Sequence, residues 1–339
     1  MSFRLQSMDK PARTPSERQP AERISLAWPL ALAALAVAAI PIGALMAQES
    51  TAAFTVTETG RGFARLQDAV DSIGDATGTI AIAPGTYRQC AVQQAGRVSY
   101  FATGPGAAVF DGTTCEGKAA LVLRGREASV VGLTFRGMAV PDMNGAGIRL
   151  KRGDLTVAQS RFEDSQQGIL TADDPASAII IDKSTFSGLG TCEGAGGCAH
   201  SIYVGDYGML RITRSRFEAG TGGHYVKARA GKVEIAGNSF DDSRGRGTNY
   251  MIDLPAGASG SITDNWFVQG RDKENYSAFI AIAAEQQNHS ADGLRIAGND
   301  ARLVPDLARN TIFVADWSGD RLEIGENRLG TGLQAFERR

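Results

Sequence analysis

The sequence predicts an all-β chain wound as a right-handed parallel β-helix, with one amphipathic helix ahead of it. Three observations predict this. Glycine is abundant at 41 residues while proline stays at 11, the composition of many tight backbone corners rather than of a collagen-like or disordered polymer. A short unit recurs along most of the chain, in which an alternating apolar strand is followed by Ser or Asn and then by Phe. At 339 residues, 43% of them hydrophobic, the chain can also bury a sizeable core.

Residues 1–24 form a basic polar leader with Arg4, Lys10, Arg13, Arg18 and Arg23, and residues 25–47 (SLAWPLALAALAVAAIPIGALMA) carry no charge. A positive flank before an uncharged apolar run reads as an export signal or a membrane anchor. Pro41 and the small residues of ALMA favour cleavage before Gln48, whereas the long polar leader favours retention as an anchor; a start at Met8 shortens that leader. Either outcome puts the chain beyond about residue 50 in the periplasm or outside the cell, because the positive flank stays inside. Residues 48–62 read as a linker and 63–339 as the β-helix domain.

At the head of that domain, FARLQDAVDSI places Leu66, Val70 and Ile73 at helical spacing. An amphipathic helix there covers the open apolar end of a coiled stack. GTIAIAPGTY then starts the first coil. The repeats follow as LTVAQSRF from Leu155 to Phe162, IIIDKSTF ending at Phe186, LRITRSRF at Phe217, VEIAGNSF at Phe240 and SITDNWF at Phe267, with LRIAGND and LEIGENRL as decayed later units. They align Ser160, Ser184, Ser215, Asn238, Asn265, Asn299 and Asn327 in one column. Phe135, Phe162, Phe186, Phe217, Phe240 and Phe267 form another. Columns of like residues are what a parallel β-helix produces, since each coil lies on the last at about 4.8 Å. Short polar side chains then serve the bent backbone at corners, and the aromatics read as stacked core rather than as a sugar platform.

The stretch from Phe63 to Tyr87, an LQDAVD helix followed by a strand and a PGTY turn, resembles the head of the pectin-lyase-like right-handed parallel β-helix superfamily. As a fold, the resemblance extends through the repeats to about residue 329. It implies side walls that meet carbohydrate chains. It leaves the chemistry open, because the superfamily embraces lyases, hydrolases, esterases, epimerases and adhesins.

With 35 basic against 37 acidic side chains the chain has no basic stripe, which argues against a nucleic-acid partner. Four cysteines without CxxC spacing in an exported chain read as two disulfides. Of the three pairings four cysteines allow, the loop TCEGAGGC suits Cys192 with Cys198, and stacked coils put Cys90 and Cys115 on neighbouring turns. Calcium-binding acidic nonapeptides are missing from the sequence, so neither metal nor cofactor is expected.

The polar groups collect in the strands GIRL, GIL, HSIYVG, HYVKARA, YMIDLP and AFIAIA. With Ile148, Ile169, Ile202, Val226, Ile252 and Ile280 inward, alternation turns Arg149, Tyr203, Lys227 and Asp253 outward on one wall. Leu170 interrupts that series, and Arg229 emerges two residues past Lys227. His200, His224 and Tyr250 stand two positions before the inward residues and stack on three consecutive turns. Singly, each polar residue reads equally well as a satisfied corner or as one rung of an exposed ladder. Together, with two of the three histidines in one stack, they read as a binding or catalytic site. The insertions TCEGAGGCAH and DDSRGRGTNY form candidate rims, the second bringing Arg244 and Arg246, while His289 in EQQNHSADG reads as loop.

For a uronic-acid polymer, β-elimination needs a base, a cation to hold the carboxylate and an acid for the leaving oxygen. Lys227 or His224 is the expected base, Arg229 the carboxylate neutraliser, and Tyr203, Tyr250 or His200 the proton donor. Asp253, Arg149, Arg244 and Arg246 are the expected substrate-binding residues, with burial and nearby cations depressing the Lys227 pKa. YVKARA resembles the Lys and Arg strands of some β-helical polysaccharide lyases, on two residue types. Hydrolysis calls for two carboxylates roughly 5–9.5 Å apart; only Asp253 stands firmly on the wall, with Asp206 as a second candidate. The Gln and paired Asp signatures of a pectin-methylesterase-like chemistry are not found in the mid-chain. An epimerase would use similar groups without cleavage, and a non-catalytic cell-envelope scaffold would grip the polymer without breaking it. The expected partner is thus a polysaccharide of anionic type, met by a monomer.

Overall fold

The computed structural model describes residues 52–194 and 197–339. The leader and the apolar segment read as signal or anchor lie outside the described residues; among those described, no helix is long and apolar enough to cross a membrane. Three parallel sheets run the length of the domain, one of 12 strands and two of 10, and the chain visits them in rotation. Strand 127–131 of the first sheet, for example, is followed by 133–136 of the second and 146–150 of the third before 154–158 returns to the first. This is the right-handed parallel β-helix predicted from the repeats.

The N-terminal end is closed by two devices. Helix α1 (Leu66–Ile73) buries Leu66, Ala69, Val70 and Ile73 against the stack. Gln67 on this helix donates to the Val92 carbonyl and accepts from the Val92 amide, so it satisfies the otherwise open edge of the third sheet. The first sheet is closed by a hairpin, Phe54–Val56 with Arg61–Phe63, which pairs antiparallel to Thr77–Ile82. Both hairpin strands begin within the stretch read from sequence as linker.

Inside, Phe110 joins the six expected aromatics, and all seven are fully buried. From Phe162 to Phe267 successive rings stack 4.8–4.9 Å apart, the inter-coil distance. The corners between the first and second sheets explain the Ser and Asn column. The residue before each is left-handed, as at Gln159, Lys183, Arg214 and Asp264, and the sharp turn leaves a backbone N–H without a strand partner. Each column residue gives that N–H to the side-chain oxygen of the column residue one coil on: Ser215 to Asn238, Asn238 to Asn265, Asn265 to Asn299. Asn265→Ala orphans the Asn238 N–H and the Ile235 carbonyl. It should lower stability by about 1–3 kcal/mol, read as a shift of the urea midpoint; no shift would mean that water serves these groups equally well.

Both disulfides close, Cys90 with Cys115 and Cys192 with Cys198, and no thiol is left free among the described residues. That cysteine usage belongs to an oxidising compartment, periplasmic or extracellular.

Candidate active site

The third sheet carries the candidate site, and its strands break strict alternation in one place. Tyr225 and Met251 lie in the core immediately before the inward Val226 and Ile252, so each coil turns two successive side chains inward. On the earlier coils this extra position is Gly147 and Gly168, where a Cβ would come within 3 Å of the Phe162 and Phe186 rings. Outward positions are consequently three residues apart. This local bulge puts His200 with Tyr203, His224 with Lys227, and Tyr250 with Asp253 on the same face.

Parallel register then stacks them, Tyr203 beside Lys227 and Lys227 beside Asp253. The His200 and His224 rings lie 4.8 Å apart, and Tyr250 follows at 5.7 Å from His224. A cleft of about 440 Å³ opens over this wall, and among its lining residues are His200, Tyr203, His224, Lys227, Arg229 and Glu274.

Hydrogen bonds assign the imidazole protons. The His224 backbone N–H donates to His200 Nδ1 at 3.0 Å, so a neutral His200 keeps its proton on Nε2. His224 Nδ1 lies 3.2 Å from that same acceptor; in the tautomer that donates to it, the His224 lone pair is on Nε2. Burial, with the charges of Lys227 and Arg229, pushes the His200 pKa down to about 3. His224 stands well below its ordinary value through burial, the neighbouring His200 and Lys227. Both rings are therefore uncharged at neutral pH.

Lys227 differs from the sequence expectation. Burial does pull its pKa down, but Asp253 at 3.1 Å and Glu285 at 2.5 Å more than reverse the effect, and the net direction is upward. An ammonium held this firmly has no lone pair to offer as a base. Arg229 pairs with the other oxygen of Glu285 and donates to Tyr203 Oη at 2.6 Å. Its guanidinium carbon also lies 5.4 Å from the Tyr203 ring centroid. Asp253 is almost wholly buried. Its Oδ2 faces Lys227 and, at 3.6 Å, His224 Nε2, while Oδ1 has no partner among the described residues. Burial outweighs the Lys227 charge and holds its carboxyl above the ordinary range.

The wall does not gather every expected residue. Arg149 is half-buried two coils away, beside Leu170, which packs in an apolar patch with Ala119, Val122 and Ala146. Arg244 and Arg246 are exposed and do not line the cleft. Asp242 is drawn inward by Tyr225 and Lys273, and the turn closed by the Gly245 N–H to the Asp242 carbonyl carries Arg244 towards Glu218 at 3.5 Å, on the second sheet. Asp206 is taken by His289 at 3.0 Å. Glu285 and Glu274 escaped the sequence reading because both lie in irregular segments between strands. Asn249, also in the lining, directly precedes Tyr250, and that adjacency was a usable signal. Among the described residues no group of three or more His, Cys, Asp or Glu is arranged to hold a metal ion.

No protein-family model and no curated protein matches the chain. Among solved structures, a pectin methyl esterase of the rice weevil matches with a TM-score of 0.50 at 10% identity, over 83% of this chain and 89% of that one. ORF18 of Geobacillus virus E2 matches with a TM-score of 0.46 at 16% identity over 80% of this chain, which spans 56% of that protein's length. A tailspike protein, gp49 of the Acinetobacter baumannii bacteriophage Fri1, a capsular polysaccharide depolymerase, matches with a TM-score of 0.35 at 12% identity, over 80% of this chain and 54% of that one. Identities this low speak to architecture alone. By its three rotating sheets, its capping helix and this likeness, the chain has the pectin-lyase-like right-handed parallel β-helix fold.

Proposed function

We propose that the third-sheet wall binds an anionic, uronate-containing polysaccharide and cleaves it by β-elimination. The observation that carries this reading is the division of charge at the cleft. Two cations, two uncharged imidazoles and a phenol line it; Asp253 is buried behind Lys227, and Glu285 is paired with both cations. Among the described residues Glu274 is the one carboxylate in the lining, which leaves hydrolysis without its usual pair. The choice of a carbohydrate draws on the fold likeness to a pectin methyl esterase.

In this mechanism Lys227 and Arg229 hold the sugar carboxylate and stabilise the charge that gathers on it. His224 Nε2 takes the proton from the carbon beside that carboxylate. The electron pair left behind becomes a carbon–carbon double bond, the bond to the glycosidic oxygen breaks, and Tyr203 Oη supplies that oxygen's proton. Arg229, by donating to Tyr203 Oη, leaves the phenol's own proton free to be aimed at the leaving oxygen. The depressed basicity of His224 is partly the work of cations, and a bound carboxylate offsets their field, which raises the imidazole towards a working range.

Purified protein mixed with polygalacturonate, alginate and hyaluronan should raise the ultraviolet absorbance as unsaturated ends form. Tyr203→Phe should slow the rise by about 10²–10⁴-fold with the thermal midpoint unchanged; a fully active variant removes Tyr203 as the acid. A second reading, a non-catalytic polysaccharide scaffold, is favoured by one observation, that neither imidazole accepts a proton near neutral pH in the unliganded cleft. Binding without any absorbance change across the panel would select it.

A further inference from the structure

We propose that Glu285 sits in the seat of the substrate carboxylate, so that Lys227 and Arg229 form a carboxylate site that the protein fills with its own side chain until a uronate displaces it. The inference deepens the reading above and rests on it for the class of substrate.

The geometry is that of a bound ligand. Lys227 and Arg229 lie two residues apart on one wall, and Glu285 gives one carboxylate oxygen to each. It reaches them from the segment after strand Ala278–Ile282, where its backbone N–H is held by the Pro255 carbonyl at 3.1 Å. The exposures are unequal: the cation side chains are 12% and 19% exposed, that of Glu285 41%. The cations are fixed and the carboxylate is the member open to solvent.

Each cation also keeps a second partner that does not depend on Glu285. Lys227 retains Asp253 at 3.1 Å, and Arg229 retains Tyr203 Oη at 2.6 Å. Withdrawal of Glu285 therefore leaves two oriented, partly desolvated cations pointing at a vacated planar-anion position, not a collapsed pair. An ammonium beside a guanidinium fits the two oxygens of one carboxylate, and a neutral sugar offers nothing of equal charge to displace Glu285. The seat thus selects uronate residues over their neutral counterparts and sets an affinity threshold, since the internal carboxylate must first leave.

Glu285→Gln keeps the side-chain size and removes the competing charge. D-galacturonate and D-glucuronate titrated into the full chain, with galactose and glucose as controls, should show uronate affinity rising roughly tenfold if Glu285 fills the seat in about nine molecules of ten, with the neutral sugars unchanged. Uronate affinity equal to or below that of the unaltered protein overturns the proposal. If Glu285→Gln does not fold, Glu285→Asp, whose shorter side chain withdraws from the seat, serves in the same comparison. The two readings fail separately. Tighter uronate binding with no unsaturated product from any polymer keeps the seat and discards β-elimination; product formation with unaltered uronate affinity does the reverse.

Discussion

Lys273→Met is expected to destabilise the protein by about 3–5 kcal/mol, the cost of leaving a buried charge without its partner. Lys273 and Asp242 are 3.2 Å apart and neither side chain reaches solvent. The Asp242 carboxylate also accepts from Tyr225 Oη, Thr248 Oγ1 and the Gly270 N–H, so it cannot turn outward when the ammonium is lost. The damage should reach the site. Thr248 bridges the coils between Gly223 and Lys273, and the neighbouring Asn249 N–H donates to the Gly223 carbonyl next to His224. Urea unfolding measures the loss. The double variant Lys273→Met, Asp242→Asn should recover part of it, because no charge is then left buried and the amide oxygen still serves Tyr225 Oη and Thr248 Oγ1. A single variant within about 0.5 kcal/mol of the unaltered protein would show that the pair is not what holds these coils together.

Stability should also fall steeply in acid, with the two stacked histidines responsible. His200 has an ordinary value of 6.5 in the unfolded chain and about 3 in the folded one. Below 6.5 the unfolded state takes up a proton that the folded state refuses, so the stability is whole above that pH and is lost as the pH falls towards 3. Between about pH 7 and pH 4.5 His200 alone should remove about 2–3 kcal/mol. His224, shifted in the same direction, adds to the loss. Asp253 works the other way, since burial raises it and folding gains from its protonation in acid. Urea midpoints at the two pH values, compared with those of His200→Gln, His224→Gln, give the measurement. A double variant with an undiminished pH slope would trace the acid sensitivity to other groups.

Periodic features were legible before any coordinates, and isolated ones were not. The Phe and the Ser and Asn columns could be read because a coiled chain asks the same question of the sequence at every turn: an apolar body inside, a short hydrogen-bonding side chain at the corner. The stacking of Tyr203, Lys227 and Asp253 followed from the same register. His200 and His224 were found as a column, although alternation alone would have turned them inward; the double inward step at Tyr225 and Met251 that faces them outward has no sequence signal until the core is seen to need those side chains.

What the chain determined by itself is its coil, its inner columns and the identity of the groups on one wall, because those depend on residues a fixed turn apart. The tertiary structure alone decided their ionisation. It brings Glu285 to Lys227 and Arg229 across 58 and 56 residues, and with Asp253 this turns an expected base into a firm cation. Coulomb energy depends on distance and burial, and neither is written in the spacing of a sequence once the chain leaves its repeat.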